Sequence, residues 1–144
     1  MNKKEEKVSE RAKHFKEARA NRLYEIAEDY TELIANLLKN QGQVRVCDIA
    51  REMGISHVSV LRTLERLERD GYLVKGTSRC IELTEKGREM ALFSEKKHLL
   101  LTEFLLKLGI PKDVVATDVE GIEHHISATT LKFIEAHVKT LGHA

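Results

Sequence analysis

Tryptophan is absent from this chain of 144 residues, and proline and cysteine are scarce, with one Pro and two Cys. The two cysteines, Cys47 and Cys80, lie far apart and form no C-x-x-C pair. Because thiolate zinc sites usually take closely paired cysteines, we expect no structural zinc site of that kind. Two reduced thiols are the favoured interpretation, and a disulfide between them is the alternative.

Long apolar runs are also lacking. No run approaches the roughly 18 residues that a membrane-spanning helix needs, and the first residues are charged throughout, without the apolar segment of a signal peptide. Hydrophobic residues nevertheless make up 42% of the chain, which is enough for a packed core. We therefore expect a soluble, cytoplasmic protein of one domain or two small ones.

Charge of one sign does not dominate the chain, since the formal net charge is +1. The distribution is more informative, because residues 1–22 carry eight Lys/Arg against four Glu and residues 45–79 carry seven basic against five acidic residues. Residues 23–44 and 112–144 are net acidic. The first basic block predicts an N-terminal arm or helix over 1–22, and both a merely solvated surface and a phosphate-contacting one stay open for it.

The next part of the chain has the pattern of three helices. Apolar residues three and four apart predict an amphipathic helix from Leu23 that ends near Gly42. A short helix is predicted over 47–53, and Ser56 is a favourable N-cap for another that runs to about residue 70. Glycines follow both short helices, at positions 54 and 71, which is typical of helix C-termini.

The spacing within the two short helices is typical of a helix-turn-helix. Ala50 is small enough to let two helices approach closely, and Gly54, four residues later, suits the left-handed turn between them. Val60, six residues beyond, is placed to lock the second helix onto the first. This pair of helices is therefore a candidate DNA-reading element.

A small hairpin is predicted directly after the helix-turn-helix, with strands over 72–75 and 80–83 around a tip at 76–78. This order is that of a winged helix, so we assign residues 23–84 to a winged helix-turn-helix DNA-binding domain. For Arg66, DNA contact and simple coverage of the helix surface are about equally favoured. The candidate DNA-contacting residues are Ser56, His57, Ser59, Arg62, Thr63, Arg66 and Arg79.

Residues 85–144 predict an all-helical domain, which makes the whole chain mainly α. A long helix is expected from Thr84 to about Leu108, and its dense run LLLTEFLLKL is apolar on more than one face, as in subunit interfaces. Pro111 is well placed to open a short helix over 112–119, and Ser127 to cap a last one.

Candidate metal ligands occur in two places. Glu120, Glu123 and His124 have the spacing i, i+3 and i+4 and can share one face of a helical turn. Asp29 and Glu32 have the spacing i, i+3 on the first amphipathic helix. Such groups suit a divalent cation, although acids three apart are more often simply exposed to solvent.

Enzymatic motifs are missing. The chain contains no H-E-x-x-H, no G-x-S-x-G and no phosphate-binding glycine-rich loop. A winged helix leaves little room for a substrate pocket, so we expect no enzyme, and a dimetal hydrolase is the distant alternative.

His98, on the long helix beside its apolar stretch, is a further candidate metal ligand.

Six motifs in chain order resemble the manganese transport regulators of the diphtheria-toxin-repressor family over roughly residues 23–135. They are EDYTELI, VRVCDIAREMGIS, LERLERDGYL, LTEKG, LLTEFLLKLGI and DVEGIEHHIS. The resemblance implies a winged-helix domain joined to a helical domain, here 85–144, that dimerises and binds metal. It also implies a homodimer on double-stranded DNA with a palindromic operator, and a structural or supporting role for His125. The ligands that the resemblance implies are Asp29, Glu32, His98, Glu120, Glu123 and His124.

The ligand types bear on the metal. The resemblance places Asp29 and Glu120 where the family's iron-responsive members carry the sulfur ligands Met and Cys. This chain has carboxylates in both places, and hard oxygen ligands suit Mn²⁺. We therefore predict a Mn²⁺-responsive repressor of metal-uptake genes with one or two ions per subunit. A regulator responding to Fe²⁺ or Zn²⁺ is the alternative, and Co²⁺ and Cd²⁺ are candidates for binding in vitro.

Two further points stay open in the sequence. His57, Val58 and Cys80 depart from the residues usual in the family, which leaves the operator sequence open. A winged helix whose acidic cluster is only structural, so that DNA binding ignores metal, is a third hypothesis.

Overall fold

Six α-helices and a two-stranded hairpin make up the part of the chain that the computed structural model describes, residues 3–141, with side chains from residue 10 onward. The outermost ends of the predicted arm and of the predicted helical domain, 1–2 and 142–144, lie outside the described residues. The elements are α1 (Lys3–Gln41), α2 (Val46–Met53), α3 (His57–Arg69), β1 (Leu73–Lys75), β2 (Ile81–Leu83), α4 (Glu85–Lys107), α5 (Lys112–Ile122) and α6 (Ala128–Thr140).

Helix α1 is longer than predicted. It continues without interruption through Lys3–Gln41, so the predicted arm is helical from Lys3 and is not separated from the helix expected from Leu23. Residues 10–24 are exposed, and hydrophobic periodicity therefore could not reveal this half of the helix. It is rich in Ala, Glu, Lys and Arg and free of Gly and Pro, and these are the residues with the highest intrinsic helix propensity.

The helix-turn-helix forms as the spacing predicts. Gly54 has a left-handed backbone (φ 65°), and its N–H donates to the carbonyl of Ala50. Val60 is completely buried beneath the turn. Ser56 caps α3, its Oγ accepting from the backbone N–H of Ser59 at 3.1 Å. Close approach, the left-handed turn and the N-cap thus all lie at the predicted residues.

The wing is a short antiparallel hairpin whose register pairs Leu73 with Leu83 and Lys75 with Ile81. Its tip contains a single 3₁₀ turn, in which Ser78 and Arg79 both have φ 61°. The backbone N–H of Ile81 donates to the carbonyl of Val44 at 2.8 Å. This bond ties the wing to the segment before α2, so the hairpin does not stand free of the helices.

One hydrophobic core joins the second half of α1 to the helix-turn-helix and the wing. It is formed by side chains that are nearly or completely buried. The large apolar residues of α3 and the hairpin belong to the same cluster as those of α1. Its buried members are Ala27, Tyr30, Ile34, Leu37, Val44, Ile49, Val60, Leu64, Leu67, Leu73, Ile81, Leu83 and Met90.

A second core lies between α4, α5 and α6, built on Leu101, Val115, Val119 and Leu131. Helix α4 reaches both cores, since Met90 near its start belongs to the first. The middle of α1 packs along α4, so polar residues on these two helices face the end of α5. Among residues 3–141, no helix is both long and apolar enough to cross a bilayer.

Helix α5 runs further than predicted, to Ile122, with Glu123 as its C-cap. His124 and His125 therefore follow the helix instead of extending its last turn, and the backbone N–H of His125 donates to the carbonyl of Ile122 at 3.0 Å. The expectation that Glu120, Glu123 and His124 share one face of a helical turn is wrong in this respect.

Candidate metal centre and DNA-binding face

A cluster of carboxylates and imidazoles lies where α1, α4 and the end of α5 meet. Within residues 3–141, two groups of side chains bring their ligand atoms within 4.8 Å of one another: His98 with Glu120 and Glu123, and Glu25 with Asp29 and His124. Five of the six predicted ligands belong to these groups. Residues far apart in the chain therefore converge as the sequence predicts. The groups differ from the predicted set in that they include Glu25 and leave out Glu32.

The first group joins α4 to α5. His98 Nδ1 lies 2.8 Å from Glu123 Oε2, and Glu120 stands at the surface side of the same group. Glu123 itself is 2% exposed. Two carboxylates and an imidazole at this spacing could supply about half of the ligands of a six-coordinate divalent ion.

The second group joins α1 to the residue after α5. His124 Nε2 lies 3.1 Å from Asp29 Oδ1 and 3.4 Å from Glu123 Oε1. Glu25, one turn before Asp29, completes this group. Since the two oxygens of Glu123 face different groups, this carboxylate connects them.

Glu32 belongs to neither group, although its sequence spacing predicts a ligand. Its Oε2 accepts a hydrogen bond from Ser94 Oγ at 2.8 Å. Glu25 occupies the corresponding position on the other side of Asp29, and sequence reasoning did not select it. The only available signal was its i, i+4 spacing to Asp29, which does not distinguish a ligand from an exposed acid.

The electrostatics of the cluster favour a cation. Burial raises the pKa of Asp29, and the neighbouring Glu25, Glu32 and Glu120 raise it further, while His124 opposes them. Burial also raises the pKa of Glu123, against the hydrogen bond from His98. Both carboxylates are thus costly to ionise without a positive partner. Oxygen and imidazole donors without sulfur are a donor set that fits Mn²⁺ and similar ions.

A buried ion pair borders the second group. Glu28 and Lys97 are 1% and 4% exposed, and Lys97 Nζ donates to Glu28 Oε2. Lys97 Nζ also donates to the backbone carbonyl of Glu123 at 2.9 Å. This pair links the middle of α1 to α4 and to the chain just before His124.

His125, for which a supporting role was expected, lies at the edge of the cluster. Its Nε2 is 3.6 Å from Glu25 Oε2, and its side chain is 57% exposed. The contact reaches one of the clustered acids, whereas the imidazole itself stays largely in solvent.

The predicted DNA-contacting residues lie on the outer side of α3 and at the wing tip. Ser56, His57, Ser59 and Arg62 are exposed, as is Arg79 at the tip. Thr63 and Arg66 are half-buried, and Thr63 Oγ1 donates to the carbonyl of Ser59 at 3.2 Å. The exposed members lie on α3 and at the wing tip, and His57 and Arg79 line the same cavity between these two elements.

A winged helix joined to a helical unit, with carboxylates and imidazoles gathered at their junction, defines the class of metal-responsive DNA-binding regulators. The model of the iron dependent repressor N-terminal DNA binding domain matches residues 22–79. That of the iron dependent repressor metal binding and dimerisation domain matches residues 84–143.

Individual relatives agree with these matches. The chain is 35% identical to transcriptional regulator MntR of Escherichia coli, over 86% of this chain and 80% of that protein. It is 40% identical to HTH-type transcriptional regulator MntR of Lysinibacillus sphaericus, over 69% and 72%. A solved manganese-dependent transcriptional repressor in complex with manganese superposes with a TM-score of 0.69 at 29% identity, over 78% of this chain and 52% of that one. The chain therefore spans about half the length of that solved protein.

The chain belongs to the iron dependent repressor family. It is a DNA-binding transcription regulator and not an enzyme, as expected. The mainly α fold with a winged helix-turn-helix is confirmed as well.

Proposed function

We propose that the protein is a homodimeric, cytoplasmic repressor of metal-uptake genes that binds a palindromic operator when it is loaded with Mn²⁺. The observation that carries the proposal is Glu123, which is buried and holds one oxygen near each of two donor groups from different parts of the chain. The relatives named for manganese support the choice of ion.

The proposed ligands are those that the resemblance implies, with one addition. Two donor groups favour two ions per subunit over one. Glu25 joins the second group by proximity, whereas Glu32 would have to leave Ser94 to reach it. The proposed set is Asp29, Glu32, His98, Glu120, Glu123 and His124, together with Glu25.

We assign reading of DNA to residues 23–84, and dimerisation and metal binding to residues 85–144. A bound divalent cation supplies the positive charge that the clustered carboxylates lack. With that charge present, Asp29 would be ionised beside His124. Ala27 and Tyr30, on the other face of the same helix, belong to the core of the winged helix. The orientation of α1 against α4 therefore sets the position of α3.

The exposed part of the helical unit supports a homodimer. Leu92, Leu99 and Phe133 are 66%, 60% and 73% exposed on α4 and α6, which is unfavourable for large apolar side chains unless a partner covers them. In a dimer, two α3 helices must reach major grooves about 34–36 Å apart. A fixed α1–α4 angle in each subunit would determine that distance.

The test is DNA binding by the purified protein across a panel of metals. Duplexes enriched from a random library by the Mn²⁺-loaded protein serve as the probe. We expect Mn²⁺ to raise affinity by at least about tenfold over EDTA, the scale of a typical coupling between sites. Stronger activation by Fe²⁺ or Zn²⁺ would support those metals instead. Equal binding in EDTA would mean that the acidic cluster is only structural.

A further inference from the structure

Among the described residues, two buried side-chain polar atoms lack a hydrogen-bond partner, and they face each other. They are Glu28 Oε1 and His124 Nδ1, and they lie 3.5 Å apart. An unpaired buried polar atom is costly, and here each of the two unpaired atoms lies opposite the other. A shift of a few tenths of an ångström would turn the contact into an ordinary hydrogen bond.

The two nitrogens of His124 face different surroundings. Nδ1 faces Glu28, whereas Nε2 faces Asp29 and Glu123 at 3.1 and 3.4 Å. The imidazole is 3% exposed, so solvent does not compete for either nitrogen. If Nδ1 carries the proton and donates it to Glu28, the lone pair of Nε2 is directed at the carboxylates of the candidate metal site.

Lys97 makes this arrangement tenable. A carboxylate as buried as Glu28 needs a positive partner to stay ionised, and Lys97 Nζ donates to its other oxygen. The same Nζ donates to the backbone carbonyl of Glu123, the residue directly before His124. One ammonium group therefore holds the acceptor for the imidazole and the backbone that carries the imidazole.

From this geometry we propose that Glu28 and Lys97 are positioning residues for His124, with Glu28 as the acceptor that selects the Nδ1–H tautomer. The proposal rests on the function proposed above. Ligating histidines generally donate their second N–H to a carboxylate, carbonyl or water, and losing that acceptor typically lowers metal affinity about 10- to 100-fold. Sequence spacing could not indicate the relationship, since Glu28 and Lys97 lie 69 residues apart.

Two double variants form a matched test. E28Q/K97M removes the ion pair but keeps an amide oxygen opposite Nδ1, whereas E28M/K97M removes the pair and the acceptor. Because a buried pair can be replaced by apolar groups without loss of stability, we expect both to unfold in urea at similar concentrations. By calorimetric titration, E28Q/K97M should bind Mn²⁺ at least about tenfold more tightly than E28M/K97M.

Equal Mn²⁺ affinity of the two double variants would overturn the proposal and would mean that the pair only joins α1 to α4. If the unaltered protein bound no Mn²⁺, both this proposal and the proposed function would fail. If it bound Mn²⁺ and the variants did not differ, only the positioning role would fail.

A second measurement needs no variant with an altered core. In the protein loaded with diamagnetic Zn²⁺, long-range proton–nitrogen NMR distinguishes the two ring nitrogens of His124. We expect a slowly exchanging proton on Nδ1 and none on Nε2. A proton on Nε2 with the metal at Nδ1 would contradict the proposal.

Discussion

Glu123 is the residue on which the two donor groups meet. Its Oε2 lies 2.8 Å from His98 and its Oε1 3.4 Å from His124, while its backbone carbonyl is held by Lys97. This carboxylate, at the C-cap of α5, thus contacts His98 on α4 and also His124, which belongs to the donor group on α1. The sequence indicated it as a ligand by type and spacing. Its connecting position depends on helix packing, which spacing does not reveal.

The contribution of Glu25 to Mn²⁺ binding can be tested with a single substitution. It lies in a donor group with Asp29 and His124, so E25Q should weaken Mn²⁺ binding by about tenfold or more, at least the loss typical of an outer partner. Calorimetric titration measures the effect. Glu17, exposed on the same helix, provides the matched control E17Q, which should bind as the unaltered protein does. Unchanged affinity of E25Q would exclude Glu25 as a ligand.

Some site residues could not be predicted, for a physical reason. Asp29, His98 and His124 have side chains typical of ligands, and Asp29 and His124 belong to recognisable motifs. Glu28 reads from the sequence as one more acid on an amphipathic helix. It is buried where α1 packs on α4 and pairs there with Lys97, and a contact between distant residues leaves no local pattern.

At the scale of elements, the serine N-caps of α3 and α6 were predicted correctly. Ser56 and Ser127 were expected as caps, and each accepts a hydrogen bond from a backbone N–H in the first turn of its helix. Thr84 caps α4 in the same way, although the sequence reasoning did not name it as a cap. These signals are local, so sequence carries them fully. Hydrophobic periodicity does not reveal residues 10–24 of α1, because their side chains are exposed and form no apolar stripe.

The junction between the wing and α4 depends on a glycine. A Cβ at Gly87 would lie 2.0 Å from the backbone carbonyl oxygen of Tyr72, and backbone atoms cannot move aside cheaply. We expect G87A to lower the free energy of unfolding by about 1–3 kcal/mol, as overpacking does. Urea denaturation of the metal-free protein measures it.

Gly121 is the matched control for that substitution. It lies in α5, and a Cβ there would meet nothing within 4 Å. G121A should leave stability unchanged or raise it by up to about 1 kcal/mol, since glycine is a weak helix former. If both variants had the same stability, close packing at Gly87 would not matter.

At the scale of the whole molecule, α1 belongs to both parts of the structure. Its buried face contributes Tyr30 and Ile34 to the core of the winged helix, and Asp29 on another face reaches the cluster at the end of α5. The order of winged helix and helical unit was predictable, because each element has its own pattern. Sequence patterns could not show that a single helix connects the core of the winged helix to the candidate metal ligands, because this connection depends on the packing of α1 on α4.

The most direct test of this connection is the DNA affinity of E123A with and without Mn²⁺, measured by fluorescence anisotropy alongside the dimer mass from light scattering. For the unaltered protein, we expect Mn²⁺ to tighten binding to its selected duplex by at least about tenfold. E123A should remain dimeric and bind the duplex equally weakly in Mn²⁺ and in EDTA. A dimeric E123A with the normal Mn²⁺ response would contradict the central claim that metal at Glu123 couples the cluster to DNA binding.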